Sequence, residues 1–237
     1  MRRDTAAVPY DPALAHEVPV APIAPGTETA IHLQCLAVST ALSKYYVKNF
    51  ITPEKVIDVL NAAGVRFMLA GAHGIGGWTN QPRTTQDVDV LVATRYLKTA
   101  VGVLRTAFPQ LTVRDTPVVV RFADARTGTV LLDVMKPNQP LHRVAMRNAH
   151  RIETRKRVYH IPTLEFALAM KFAAMVSPYR DRLTKMQDGV DFSRIVAANP
   201  KIQLAKLAQL GERVYRGGGK EIVEMVRRVR AGECLEL

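Results

Sequence analysis

Apolar positions along the chain follow two periods, one helical and one extended. From Glu28 to about Lys48, Ile31, Leu36, Leu42 and Tyr46 recur with no intervening Gly or Pro, which predicts a helix. A better-bounded helix follows, with Thr52 suited to the N-cap, Pro53 to the first helical position and Gly64 to the exit, around a stripe of Val56, Leu60 and Ala63. The short apolar run Val65 to Ala70 turns at Gly71 and leads into Ala72 to Trp78, predicting strand, turn and helix. Asp87 to Val92 alternates at its start and predicts a second strand, and Arg95 to Phe108 a further helix. Val118 to Ala123 and Thr129 to Met135 flank Asp124 to Gly128 and predict a hairpin with glycine in the turn. After Pro162 the period is helical throughout, and Pro178, Pro200 and Gly217 to Gly219 divide the remainder into about four helices.

This order predicts an α/β (α+β) chain with a small mixed sheet flanked by helices. Residues 28–161 form the expected core and 162–237 a C-terminal helical segment. Residues 1–27 hold five of the fourteen prolines, show no period, and are expected to be a flexible or extended arm.

Composition narrows the partners. The 237 residues carry a formal charge of +12, and the 48% hydrophobic content excludes a disordered basic tail. A surplus of that size suits a polyanion such as a nucleic acid or a nucleotide, or a solvated basic face. Between His142 and His160, six basic residues face Glu153 alone. Arg143, Arg147 and Arg151 would form a ridge there if the segment were helical. Cys35 and Cys234 are too isolated for a zinc site or a disulfide framework. No run of 18 apolar residues is present, and prolines interrupt any signal-peptide core, so no membrane is involved and the expectation is a cytoplasmic protein.

Asp87 and Asp89 carry the strongest chemical signal. Residues i and i+2 of a strand share a face about 6.5–7 Å apart, and two carboxylates so held repel unless a cation lies between them. Hard oxygen ligands of this kind suit Mg²⁺ or Mn²⁺, whereas the plainer reading is two exposed acids at a strand mouth. Asp133 shares a strand face with Leu131 and Met135, where a carboxylate is costly unless paired or metal-bound. A third acid beside the first two makes the cluster of a two-metal site, and the competing reading is a salt bridge to Lys136 or to a helix arginine. Gly71 and Ala72 are small enough for a triphosphate to approach the backbone, although the clustered glycines 71, 74, 76 and 77 equally fit a helix packed tightly on its neighbours. They satisfy neither the dinucleotide-binding pattern nor the P-loop. Lys171 emerges from the apolar stripe of Leu164, Ala167, Leu168 and Met175, where a cation needs a bound phosphate, an ion pair with Asp133 or Glu165, or an escape of its tip to solvent. Asp181, Arg182, Lys185, Asp188 and Asp191 have the spacing of ordinary surface ion pairs on a helix, the reading favoured for Asp181 and Lys185. His73 beside the turn reads as a helix-end hydrogen bonder sooner than a base, and Trp78 as core sooner than a base-stacking ring.

The string Leu69-Ala70-Gly71-Ala72, followed by Pro82-Arg83-Thr84-Thr85-Gln86-Asp87-Val88-Asp89-Val90-Leu91-Val92, resembles the small-residue turn and RxTxDxD strand of minimal nucleotidyltransferases of the DNA polymerase beta-like superfamily, in particular the AbiEii-type toxin group. Leu131-Leu132-Asp133 is similar to that family's third carboxylate and Leu164 to Lys171 to its lysine-bearing helix. Arg182, Asp188 and Asp191 are similar to its downstream R…KDxxD helix. Two positions depart from the pattern: Ala72 stands where Gly or Ser is usual, and Gln187 where a lysine is usual. The resemblance implies a nucleotidyltransferase fold and Mg²⁺-dependent (or Mn²⁺-dependent) transfer of an NMP from an NTP to an acceptor hydroxyl. It implies metal ligands Asp87, Asp89 and Asp133, phosphate neutralisation by Lys171, and nucleotide contacts from Gly71, Ala72, Arg83, Thr84, Arg182 and Asp188. It also implies a toxin-like role with tRNA or another RNA end as acceptor and a cognate antitoxin. Three alternatives remain at this point: a non-catalytic RNA-binding protein with a vestigial site, an enzyme that uses the DxD pair with a nucleotide-sugar as glycosyltransferases do, and a transferase acting on a small molecule such as an antibiotic.

Overall fold

The computed structural model describes residues 28–235, so the N-terminal arm lies outside the described residues. Two helices, α1 (Glu28–Tyr46) and α2 (Pro53–Ala62), precede β1 (Phe67–Leu69), α3 (Gly71–Thr79), β2 (Val88–Val92) and α4 (Leu97–Ala107). Then come β3 (Leu111–Asp115), β4 (Val119–Asp124), β5 (Val130–Met135), the single turn α5 (Pro140–Arg143), β6 (Ala149–Glu153) and β7 (Val158–Pro162). Four helices close the chain: α6 (Leu164–Met175), α7 (Arg182–Ala198), α8 (Leu204–Gly211) and α9 (Gly218–Arg230). The strands form one seven-stranded mixed sheet in the order β3-β4-β5-β2-β1-β7-β6.

Local chemistry sets the boundaries that position the site. Thr52 Oγ1 accepts the Lys55 amide at 3.3 Å, Pro53 opens α2, and Gly64 at φ +63 closes it, as the capping residues require. The β4–β5 hairpin is fixed by Asp124, whose Oδ1 accepts the amides of Arg126 (2.8 Å) and Thr127 (3.1 Å), and by Gly128 at φ +71. Sheet alternation then distributes the core. Phe67, Leu69, Val88, Val90, Val92, Leu132 and Val134 face one way, onto Val56, Ile57 and Leu60 of α2 and Ala100 and Leu104 of α4. Met68 and Leu91 face the other way, onto a core built from Phe166, Leu168, Phe172, Phe192, Ile195 and Ile222 of the C-terminal helices.

Two expectations are corrected by tertiary pairing. Residues 143–151 are not one helix: α5 ends at Arg143, a 3-10 turn spans Ala145–Arg147, and Arg151 lies in β6 opposite His160 of β7, so the three arginines form no ridge. Pro140 starts the single turn of α5, and β6 gains its hydrogen bonds from β7, a partner that residue spacing within the segment does not reveal. Asp188 and Asp191 are not surface acids either, since α7 turns both inward and buries them. No helix among the described residues is long and apolar enough to cross a membrane.

Candidate active site

The parallel pairing of β2 with β5 creates the site. Its register sets Val88 opposite Leu132 and Asp89 opposite Asp133, and on the far side of β5 Arg121 of β4 pairs with Asp133. Three ionisable side chains thus stand in a row across adjacent strands, on the face away from the valine-rich core. Asp87 lies just before β2, its Oδ1 accepting the Thr85 hydroxyl at 3.0 Å. The loop carrying it is tied to α1: the Ser39 hydroxyl donates to the Arg83 carbonyl at 2.6 Å, and Ser43 Oγ accepts the Thr85 amide at 3.1 Å. The exposed Thr84 offers only its carbonyl, to Arg83 Nη1 at 3.1 Å.

Gly71 sits against Asp89. It has φ +54, and a Cβ built on it would collide with Asp89 Oδ2, so backbone conformation and space both require glycine. The Ala70 amide donates to the Asp89 carbonyl at 2.8 Å, locking the turn to the strand, and Ala72 follows in the first turn of α3. The other glycines answer to packing: a Cβ on Gly74 would strike the Leu69 carbonyl, and Gly76 and Gly77 press on Cys35 and His32 of α1. His73, in the first turn of α3, is buried with both ring nitrogens unpartnered, and burial first, then the Arg83 charge, lowers its pKa to about 3. It is therefore neutral at physiological pH. Trp78 is core, with Nε1 donating to the Pro162 carbonyl at 2.8 Å.

The carboxylates resist ionisation. Burial, then the charges of Asp87 and Asp133, push Asp89 up to about 8 against the pull of Lys171 and Arg180. Asp133 is pushed up to about 6, again by burial, although Arg121 Nε lies 3.4 Å from its Oδ2. Its other oxygen, Oδ1, is buried without any hydrogen-bond partner. An orphaned carboxylate oxygen beside two more carboxylates is what a hard divalent cation would satisfy. Among the described residues, no three His, Cys, Asp or Glu side chains are gathered closely enough to hold a metal ion by themselves. Mg²⁺, however, is commonly held by one or two carboxylates together with water and substrate phosphates. The donor set therefore fits an ion that arrives with a nucleotide.

Beside the carboxylates lies a second, cationic layer. Lys171 of α6 donates to Asp188 Oδ1 at 2.9 Å and Asp191 Oδ2 at 2.7 Å, both on α7. Its partners are thus neither Asp133 nor Glu165, the latter being bound to Lys206 at 3.0 Å. Arg83 forks onto Asp191 (Nε to Oδ1 3.2 Å, Nη2 to Oδ2 3.0 Å), and Arg180 Nη1 donates to Asp188 Oδ2 at 2.9 Å. Burial alone would raise Asp191, but Lys171 and Arg83 hold its carboxyl below the ordinary value. Three cations share two anions here, which leaves one positive charge in excess, and both Lys171 and Arg180 act on Asp89. Arg180 is the half-exposed member of the cluster and acts on Asp133 as well.

Of the residues singled out in the sequence, the fold brings Gly71, Asp87, Asp89 and Asp133 together, with Arg83, Lys171 and Asp188 in the adjoining cluster. Arg182 is exposed in the first turn of α7 and makes no hydrogen bond or ion pair with described residues. Arg180, Thr85 and Arg121 were not singled out. For Arg121 a signal existed, a cation alternating with Val120 and Phe122 in the strand that pairs with Asp133. Arg180 sits in a loop where no period marks it.

No protein-family model and no curated protein sequence matches this chain. Among solved structures, it is similar to an antigenic nucleotidyltransferase-like protein from Paracoccidioides brasiliensis, at 15% identity over 81% of this chain and 92% of that chain, with a TM-score of 0.43. It is also similar to the antibiotic-resistance factor ANT(2'')-Ia, at 12% identity over 76% and 90% of the two chains and a TM-score of 0.42. Terminal uridylyl transferase 4 from Trypanosoma brucei with bound GTP is similar at 14% identity over 79% of this chain and 58% of that one, with a TM-score of 0.29. These likenesses concern the course of the chain, and the chemistry of the site rests on its own residues.

Proposed function

We propose that the protein is a metal-dependent nucleotidyltransferase that moves an NMP from an NTP to an acceptor hydroxyl. The observation that carries this reading is the Asp89–Asp133 pairing under Gly71, with Asp133 Oδ1 left without a partner. When bound by Asp87, Asp89 and Asp133, Mg²⁺ or Mn²⁺ supplies charge neutralisation at the reacting phosphate and lowers the pKa of the attacking hydroxyl. Gly71 lets the turn backbone close down to contact with Asp89, which brings the first turn of α3 against a phosphate held at the carboxylates. The excess charge of the Arg83–Lys171–Arg180 cluster lies beside the same carboxylates, and Arg180, held by one hydrogen bond and half-exposed, turns from Asp188 to a phosphate oxygen without unpairing Asp188 from Lys171. Asp133, as a ligand of the ion beside the acceptor hydroxyl, assists its deprotonation.

An RNA end is the acceptor we favour. The net charge of +12 supports it, as do Arg143 and Arg147, both exposed and without a carboxylate partner among the described residues. A toxin-like role and a cognate antitoxin rest on the sequence resemblance alone. Incubation with each of four α-³²P NTPs, Mg²⁺ and total tRNA tests the reading. Label on RNA from the wild type but not from Asp133→Asn is expected. Absence of label with every nucleotide, from folded protein that still binds RNA, would leave a non-catalytic RNA binder.

A further inference from the structure

Helix α7 has two apolar faces. The inward one presents Phe192, Ile195 and Val196 to the core beside the buried Asp188 and Asp191. At about 100° per residue, Leu183, Met186 and Val190 fall on the opposite side of the helix, where they are 78%, 51% and 44% exposed. Tyr179, 96% exposed, lies in the turn that precedes the helix. Large side chains left in water at heptad spacing make the seam that a second helix fills. The charges around the seam are of one sign. Arg182 lies along its edge and Arg194 one turn beyond Val190, neither paired with a described residue, whereas Asp181 caps the helix through the Thr184 amide and the two remaining acids of α7 point inward.

We propose that the outer face of α7, from Tyr179 to Arg194, is the docking surface for an amphipathic helix of another protein whose apolar stripe is flanked by Asp and Glu. A second copy of this chain fits poorly, because an α7–α7 pair would bring Arg182 and Arg194 of both copies to one seam in a protein already at +12. The occupant's end would lie beside Arg180, next to the carboxylate site, so docking and access to that site are coupled by position.

The probe is a synthetic three-heptad peptide with leucine at the core positions and glutamate on both flanks, compared with the same peptide carrying lysine on the flanks. Fluorescence anisotropy with the full chain is expected to show the acidic peptide binding at least about tenfold more tightly than the basic one, with affinity falling as salt rises. The double variant Leu183→Asp/Val190→Asp, both sites being exposed, is expected to keep the wild-type melting temperature and lose about tenfold or more in peptide affinity. Equal binding of the two peptides, or acidic-peptide binding unchanged in the double variant, would overturn the proposal. So would a wild-type dimer in sedimentation that the double variant abolishes, which would assign the face to a second copy. Single-stranded RNA bound in place of the peptide, and lost with Tyr179→Ala, would assign it to nucleic acid.

Discussion

Replacing Asp89 by asparagine in the metal-free protein removes an ionisable group whose charged form the fold opposes. Burial and the neighbouring carboxylates move the Asp89 carboxyl from 3.8 to about 8. A group whose pKa is raised on folding contributes stability that is complete below its unfolded pKa and is lost as pH rises through its folded one. For Asp89 the loss begins near pH 4 and is complete a little above pH 8. At pH 7 it corresponds to the interval between 3.8 and 7, which at about 1.36 kcal/mol per unit is about 4 kcal/mol. Water entering an open cleft relaxes part of this, and about half is the expected effect. Asparagine keeps the shape and cannot ionise, so it escapes the loss. For a domain of this size about 2 kcal/mol raises Tm by about 4–8 °C. Thermal melts in EDTA between pH 4 and 8.5 are the assay: Asp89→Asn and wild type should coincide near pH 4 and separate steadily above it, with the variant higher. Added Mg²⁺ with an NTP should close the gap, because only the wild type gains a full set of oxygen ligands. A gap that fails to open with pH, or a variant that melts lower at pH 8, would refute the electrostatic account of the triad.

Three further expectations follow from the same geometry. Asp191→Asn leaves Lys171 and Arg83 short of an anion inside the protein and should destabilise it by about 3–5 kcal/mol, read by urea unfolding. Because Asp191 is held below its ordinary pKa, its contribution is present above about pH 4 and fades under acid, so the variant's deficit should shrink as pH falls through that range. Gly71→Ala forces a positive φ on a residue with a Cβ and drives it into Asp89; a loss of about 1–2 kcal/mol from the backbone alone, together with loss of fluorescent-NTP binding, is expected. Arg180→Ala should leave Tm within about 1 °C, since Lys171 still holds Asp188 and a surface pair contributes little. It should raise KM for the NTP by about tenfold or more; an unchanged KM would remove Arg180 from the nucleotide site.

Where local chemistry dictates structure, the sequence was legible. Thr52, Pro53 and Gly64 bound α2 because caps act within one turn, and Asp124 with Gly128 marks the hairpin because the turn is closed by its own residues. Asp87 and Asp89 were legible from alternation, and Asp133 because an acid among strand apolar residues is anomalous. β3 and β6 were not. β3 is an edge strand with only Leu111 buried and β6 has only Ile152, so neither carries enough alternation to announce itself, and each exists through its neighbour. The cationic cluster was hidden for a related reason. Along α7, Asp188 and Asp191 have the spacing of surface pairs, and only the packing of α6 on α7 turns that spacing into a buried seat for Lys171.

The pairing of β2 with β5 does more than assemble carboxylates. The two strands are neighbours in space but are separated in the chain by α4, β3 and β4, so their pairing closes a long loop. A slip of one residue would carry Asp133 to the opposite face, in among Val88, Val90 and Leu132, where an unpaired acid costs several kcal/mol. Such a slip would also bring Leu132 or Val134 opposite Asp89. The acid that is costly beside Asp89 in the finished protein is thereby costlier still in a one-residue slip. It acts as a mark against that slip, and a chain that pairs β2 with β5 on their apolar faces has, by the same constraint, set the two carboxylates side by side.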